Sequence, residues 1–229
     1  MRSNILNWNV LNRDAFVTEF AKKFDAEGLT VLDVGAGDAP YRNLFTKSDY
    51  KTQDAVPLDS SQLRDKKGYA QIDFICDICE IPIETGCMDI IICTEVLEHV
   101  PDPIGAINEI KRILKKGGVL LLTAPLGSGL HQEPYHFYGG YTKYWYKENL
   151  DNQFKDINII PNGSTFDHLS QECLRFTKLS INRGYFIWNF PLALVVGILG
   201  IIIRVFSLLR LFPVHNGYTV GYHVTAIKK

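Results

Sequence analysis

The chain has almost no net charge. Its 24 lysines and arginines stand against 25 acids, a balance of −1 with histidine neutral. Without a basic surplus, no nucleic-acid partner is expected. Cysteine is sparse and lacks a metal-binding pattern. Cys76-x-x-Cys79 has half the spacing of a zinc site, but no second pair or nearby histidine completes it. The five cysteines (Cys76, Cys79, Cys87, Cys93 and Cys173) therefore read as reduced, buried thiols of a cytoplasmic protein. A secretory leader is not expected either, because Met1 to Asn12 is polar and contains Trp8. What is plentiful is apolar. Hydrophobic residues make up 46% and charged residues 21%, the balance of a packed domain, and 229 residues suffice for one α/β domain with an insertion. Residues 1–229 therefore read as a single domain.

The stretch that organises the chain is Thr30 to Arg42. A short apolar run, Val31 to Val34, is interrupted by Asp33 and breaks into Gly35-Ala36-Gly37. It predicts a buried parallel strand, a tight turn and a following helix over Tyr41 to Phe45. A turn without Cβ atoms lets a ligand approach the backbone, and N–H groups at a helix start would face the same spot. Asp33 inside the strand can receive an ammonium or order the turn. A nicotinamide fingerprint would need a third glycine, and that slot holds Ala39.

This stretch resembles motif I of the class I S-adenosylmethionine-dependent methyltransferases. The resemblance extends from Asp77 to Ala124, through Glu95-x-x-Glu98-His99-x-x-Asp102-Pro103, and returns in a last strand over Gly217 to Ile227. It implies a doubly wound, seven-stranded Rossmann-like sheet with an antiparallel last strand. Residues 164–216 are then a helical, apolar insertion between strands six and seven. Asp54, about 20 residues past the glycine turn, is the acid expected on the ribose hydroxyls, with Asp59 as the fallback. The resemblance places Asp77 on the adenine amino group, Ile78 on the ring, and Thr94 beside the cofactor, with Asp33, Gly35, Ala36 and Gly37 as the cradle. A helix over residues 12–26, with Phe16, Phe20 and Phe24 on one face, either lids the pocket or only packs.

Methyl transfer to a hydroxyl needs a base or a metal near the methyl group. Glu95, Glu98 and His99 sit at i, i+3 and i+4, one face if that stretch is helical. They make a candidate site for Mg²⁺ or Mn²⁺, similar to runs in ubiquinone-pathway and small-RNA O-methyltransferases. The latter add a downstream histidine, a part His131 or His136 would fill. Without metal, His136 or His131 is the candidate base, and His99 a further catalytic candidate. The aromatic stretch His131 to Trp145 suits a ring-bearing acceptor. A saccharide or lipid-linked saccharide of cell-envelope synthesis is the expected acceptor. The alternatives are a prenylated quinone precursor and a non-catalytic cofactor-binding scaffold.

Between Arg183 and Arg204 there is no charge at all. A helix from Pro191 to Leu211 would set Gly197, Gly200, Arg204 and Ser207 against the domain, with a broad apolar face outward. A membrane surface, a second copy in a homo-oligomer, and a private helical hairpin are the three candidates for that face, over residues 185–212. The membrane reading places the protein peripherally on the inner face of the cell membrane. Tyr185 and Trp188 would then lie at headgroup level, with Arg204 and Arg210 reaching phosphates. A last strand that must rejoin the sheet argues against a single crossing.

Overall fold

The structure is a computed structural model that describes residues 8–66, 68–182, 186–208 and 217–229. Its centre is a seven-stranded sheet of β1 (Thr30–Val34), β2 (Asp49–Asp54), β3 (Phe74–Ile75), β4 (Met88–Thr94), β5 (Leu114–Pro125), β6 (Phe154–Pro161) and β7 (Gly221–Lys228), in the order β3-β2-β1-β4-β5-β7-β6. β1, β2, β3, β4 and β5 pair in parallel, and β7 runs antiparallel to β5 with Leu122 opposite Val224. This is the architecture the resemblance implied. β1 and β4 are buried on both faces, which is why they read as continuous apolar runs.

The helices are α1 (Trp8–Phe24), α2 (Pro103–Ile113), α3 (Lys143–Leu150), α4 (Thr165–Asn182) and α5 (Phe186–Leu208). Asp102 caps α2, its carboxylate accepting from the Gly105 N–H at 2.9 Å, with Pro103 in the first turn. One core layer contains Ala106, Ile107, Ile110 and Tyr146 with Leu32, Ile91 and Leu120. The other contains Val17, Phe20 and Ala21 with Val31, Ile90, Ile92 and Leu121.

Several expectations are corrected. No α-helix follows the glycine turn: Tyr41 to Phe45 holds one 3₁₀ turn, Arg42–Leu44, with Tyr41 and Phe45 both in the core. The third strand is only two residues long, Phe74–Ile75. α2 stops at Ile113, and Gly117-Gly118 lies inside β5, where the register with β4 shifts between Met88 and Ile90. The insertion holds two helices, α4 and α5, and Pro191 is inside α5 rather than at its start. Tyr185, Arg210 and Leu211, and the side chain of Trp188, lie outside the described residues.

The chain divides into two compact units, residues 15–160 with 221–229, and residues 1–14 with 161–220. The first holds the sheet. In the second, Asp167 gathers a polar network. It accepts from Trp8 Nε1 (2.6 Å) and Ser207 Oγ (2.7 Å), takes the Ser164 N–H and hydroxyl, and pairs with Arg204. The Arg204 guanidinium also covers the Trp8 ring at 3.1 Å. The stripe of Gly197, Gly200, Arg204 and Ser207, expected against the domain, faces α4 and the residues around it.

Candidate functional site

The glycine turn is built on the end of β2. Ala36 N–H donates to the Gln53 carbonyl (3.0 Å), Gly35 N–H to Gln53 Oε1 (3.3 Å), and Gly37 N–H to Asp54 Oδ2 (2.9 Å). These three turn donors are taken by β2. Gly35, Gly37 and Ala39 all adopt left-handed backbone conformations, with φ of 67°, 58° and 48°. Ala39 thus takes the conformation a third glycine would have, at some strain. Gly35 is glycine for a second reason. A Cβ there would lie 2.8 Å from Val96 Cγ1 and closer still to Cγ2.

Asp54 closes β2, almost buried. Its Oδ1 accepts from Val56 N–H (2.7 Å) while Oδ2 holds Gly37. Each oxygen keeps a second lone pair for a ribose hydroxyl. Asp59, the fallback for the ribose, instead forms a capping box with Gln62 on an exposed 3₁₀ turn. Asp33 is buried in β1 and accepts the Tyr50 hydroxyl. Burial pushes its carboxyl up to about 7, against the opposing effect of the Tyr50 hydrogen bond. Its side-chain partner is Tyr50, while the N–H groups of the turn go to Gln53 and Asp54. Asp77 is exposed, and its Oδ1 accepts from the Cys79 N–H at 2.8 Å. Ile78, expected on the adenine ring, is 7% exposed within the core. Thr94 is half-buried at the end of β4, opposite Thr123.

Beyond β4 the expected helical face does not form. Glu95 has φ of 55°, and only a 3₁₀ turn, Leu97–His99, follows. Glu95 turns toward β5, where its N–H donates to the Thr123 carbonyl (2.8 Å) and Thr123 Oγ1 donates to its carboxylate (3.0 Å). Glu95 therefore leaves the predicted metal set, and His131 takes its place. Ligand atoms of Glu98, His99 and His131 all lie within 4.8 Å of one another. His136 completes the group, its ring centroid 4.4 Å from that of His131 and 5.6 Å from that of His99.

The segment after β5 is clamped onto this turn. Phe137 and Tyr138 N–H groups both donate to the Glu98 carbonyl (2.9 and 3.1 Å), and the Tyr141 hydroxyl donates to the Leu97 carbonyl (2.8 Å). His131 Nδ1 donates to the Gly129 carbonyl at 3.0 Å, and His136 Nε2 lies 3.2 Å from Ser128 Oγ. Burial lowers the His99 imidazole to about 4, so it is neutral at physiological pH. Tyr135, Phe137, Tyr138 and Tyr144 expose their rings in the same segment. The supporting residues Thr123, Ser128 and Tyr141 were missed by the sequence reading. Thr123, a buried polar residue within an apolar strand, was the available signal.

A methyltransferase-domain family profile matches residues 11–159. The chain belongs to this family, that of the class I S-adenosylmethionine-dependent methyltransferases. Among curated relatives, a ubiquinone biosynthesis O-methyltransferase of Xanthomonas oryzae pv. oryzae is 32% identical over 107 residues, 44% of this chain and 45% of that protein. The match thus spans less than half the length of that relative. Among solved structures, the cyclase SpnF superposes with a TM-score of 0.54 at 18% identity, covering 95% of this chain and 80% of its own. A Haemonchus contortus phosphoethanolamine N-methyltransferase 2 gives 0.51 at 16%, covering 93% and 52%. At such identity these likenesses carry the fold alone.

Proposed function

We propose that the protein transfers the methyl group of S-adenosylmethionine to a hydroxyl oxygen of a ring-bearing acceptor. One observation carries this reading. Val96 packs on Gly35, so the turn that bears Glu98 and His99 abuts the cofactor turn, and the segment clamped on it adds His131 and His136. A methyl sulfonium is a strong electrophile, whereas an alcohol is a poor nucleophile until its proton leaves. An imidazole with a free Nε2 lone pair takes that proton as the oxygen attacks in line and the sulfonium departs as a neutral thioether. The fold's part is to hold both reactants aligned.

Glu98, His99 and His131 also fit a divalent cation. Both imidazoles spend Nδ1 on a main-chain carbonyl, the arrangement that orients Nε2 toward a metal. Two imidazoles to one carboxylate suit Mn²⁺ better than Mg²⁺. Such an ion would supply Lewis acidity toward the acceptor hydroxyl.

For the acceptor, exposed tyrosine and phenylalanine rings favour stacking on a sugar or a quinone-type ring. The name of the Xanthomonas relative supports the prenylated quinone precursor at least as well as the saccharide. Labelled S-adenosylmethionine, offered with a polyprenyl-linked saccharide and with a prenylated catechol, separates the two. Label in neither, with cofactor binding intact, defeats both acceptors and favours a cofactor-binding scaffold.

A further inference from the structure

Helices α4 and α5 approach closely through small residues. A Cβ on Gly200 would meet Cys173 Cβ at 2.9 Å, and one on Gly197 would meet Thr177 Oγ1 at 3.2 Å. Hydroxyls stitch the pair together: Ser170 Oγ donates to the Gly200 carbonyl (2.8 Å) and Thr177 Oγ1 to the Ala193 carbonyl (3.1 Å). Arg204 is turned inward onto Asp167. With that cation removed from the outer side, what faces outward on α5 is apolar. Leu192, Val195, Ile198, Leu199, Ile202 and Phe206 are each exposed, Val195 by 62%. At 100° per residue, the exposed apolar positions of α5 span an arc of roughly 200°. A seam against a second copy covers far less, so a dimer would leave much of this surface in water. Leu169, Phe176 and Leu179 extend it onto α4.

Charge points to the same kind of partner. Residues 164–216 hold five lysines and arginines against two acids, in a chain whose net charge is −1. Both acids are engaged within the hairpin, Asp167 with Arg204 and Glu172 with Arg175 at 3.5 Å, while Lys178 is exposed.

We infer that the α4–α5 hairpin docks on an anionic lipid bilayer and lies in its interface without crossing it. The window Phe190–Ser207 is apolar enough to leave water, with a mean hydropathy of 2.3. It does not travel alone. α4 accompanies α5 from the Asp167–Arg204 pair to the Thr177–Ala193 contact. A crossing α5 would draw Glu172, Arg175 and Lys178 into hydrocarbon, where charged side chains are costly. An in-plane hairpin keeps them at the headgroups and buries the apolar arc. The inference is independent of the acceptor's identity.

Flotation of the full chain tests it, with phosphatidylcholine vesicles that contain phosphatidylglycerol and with pure phosphatidylcholine vesicles. The protein is expected to float with the anionic vesicles, roughly tenfold less with the neutral ones, and to be released by alkaline carbonate. Replacing Leu192, Val195 and Ile202 together with glutamate should lower the partition by roughly tenfold or more, with melting temperature and cofactor affinity unchanged. Val196 and Ile203 are half-buried and are less suitable targets. If the triple variant does not fold, Lys178→Glu takes its place and should weaken binding to the anionic vesicles alone. Three results overturn the inference: no flotation of the wild-type chain, retention after carbonate, or a solution dimer that the triple variant dissolves.

Discussion

The Nδ1 of His99 donates to the main-chain carbonyl of Tyr135 across 2.5 Å. A carbonyl only accepts, so the proton sits on Nδ1 and Nε2 keeps its lone pair. His131, bonded to the Gly129 carbonyl, is fixed the same way. Two separately anchored imidazoles thus keep the same nitrogen's lone pair. His131→Ala and His99→Ala are each expected to lower kcat by roughly 100-fold or more, with cofactor affinity unchanged by calorimetry. Excess EDTA should abolish activity and Mn²⁺ restore it if the cluster holds a metal. Full activity in EDTA would leave a histidine base acting alone.

Asp33 makes stability depend on pH in an unusual direction. Its folded pKa, raised to about 7 by burial, lies above the ordinary value of 3.8. Its contribution is complete below about pH 4 and is lost as pH rises through about 7. Asp33→Asn, which still accepts from Tyr50, should melt above the wild type at pH 8, by up to about 4 kcal/mol. The gap should shrink toward pH 5. A constant gap across that range would place the titration elsewhere.

Gly35 and Val96 form a second coupled pair. Gly35→Ala adds a Cβ against Val96 at a position with φ of 67°, and should cost about 1–3 kcal/mol in chemical denaturation. Val96→Ala should relieve the steric part and leave the backbone part. A double-mutant cycle with no coupling would show that the two turns do not depend on each other.

Asp167 is buried beside Arg204. Burial pushes its carboxyl up, but hydrogen bonds from Ser164, Ser207 and Trp8 outweigh this and hold it below the usual carboxylate range. Asp167→Ala leaves Arg204 without its counterion and should destabilise the hairpin by about 3–5 kcal/mol. Limited proteolysis should then cut within residues 161–220 while cofactor affinity persists. Wild-type resistance in that variant would show the network to be dispensable.

The seven-stranded sheet and its antiparallel last strand were legible through the family resemblance, with β1 and β4 also readable as buried apolar runs. The three histidines were also legible, as residues of the right chemistry near strand ends. Their assembly was not. It depends on the Glu95 backbone and on main-chain bonds to the Glu98 carbonyl, neither of which has a side-chain signature. Asp54 could be separated from Asp59 only once the capping box was seen. The helix expected over Tyr41 to Phe45 does not form, because Tyr41 and Phe45 bury their rings around a single 3₁₀ turn. The stripe on α5 was read correctly as a packing face and assigned the wrong neighbour. α4 is too mixed in composition to announce itself as a partner.

The two outermost strands are built to resist pairing with other chains. β3 offers two residues of open ladder, and β6 carries Lys155 and Asp156, the latter at φ of 51°, before ending in Pro161. Short length, charge, a distorted backbone and a residue with no N–H each blunt an edge against strand addition from another chain. Crowding on a membrane would raise the local concentration of these edges many times over. If the hairpin docks as inferred, the chain is guarded at the two places where crowding would otherwise seed fibrils.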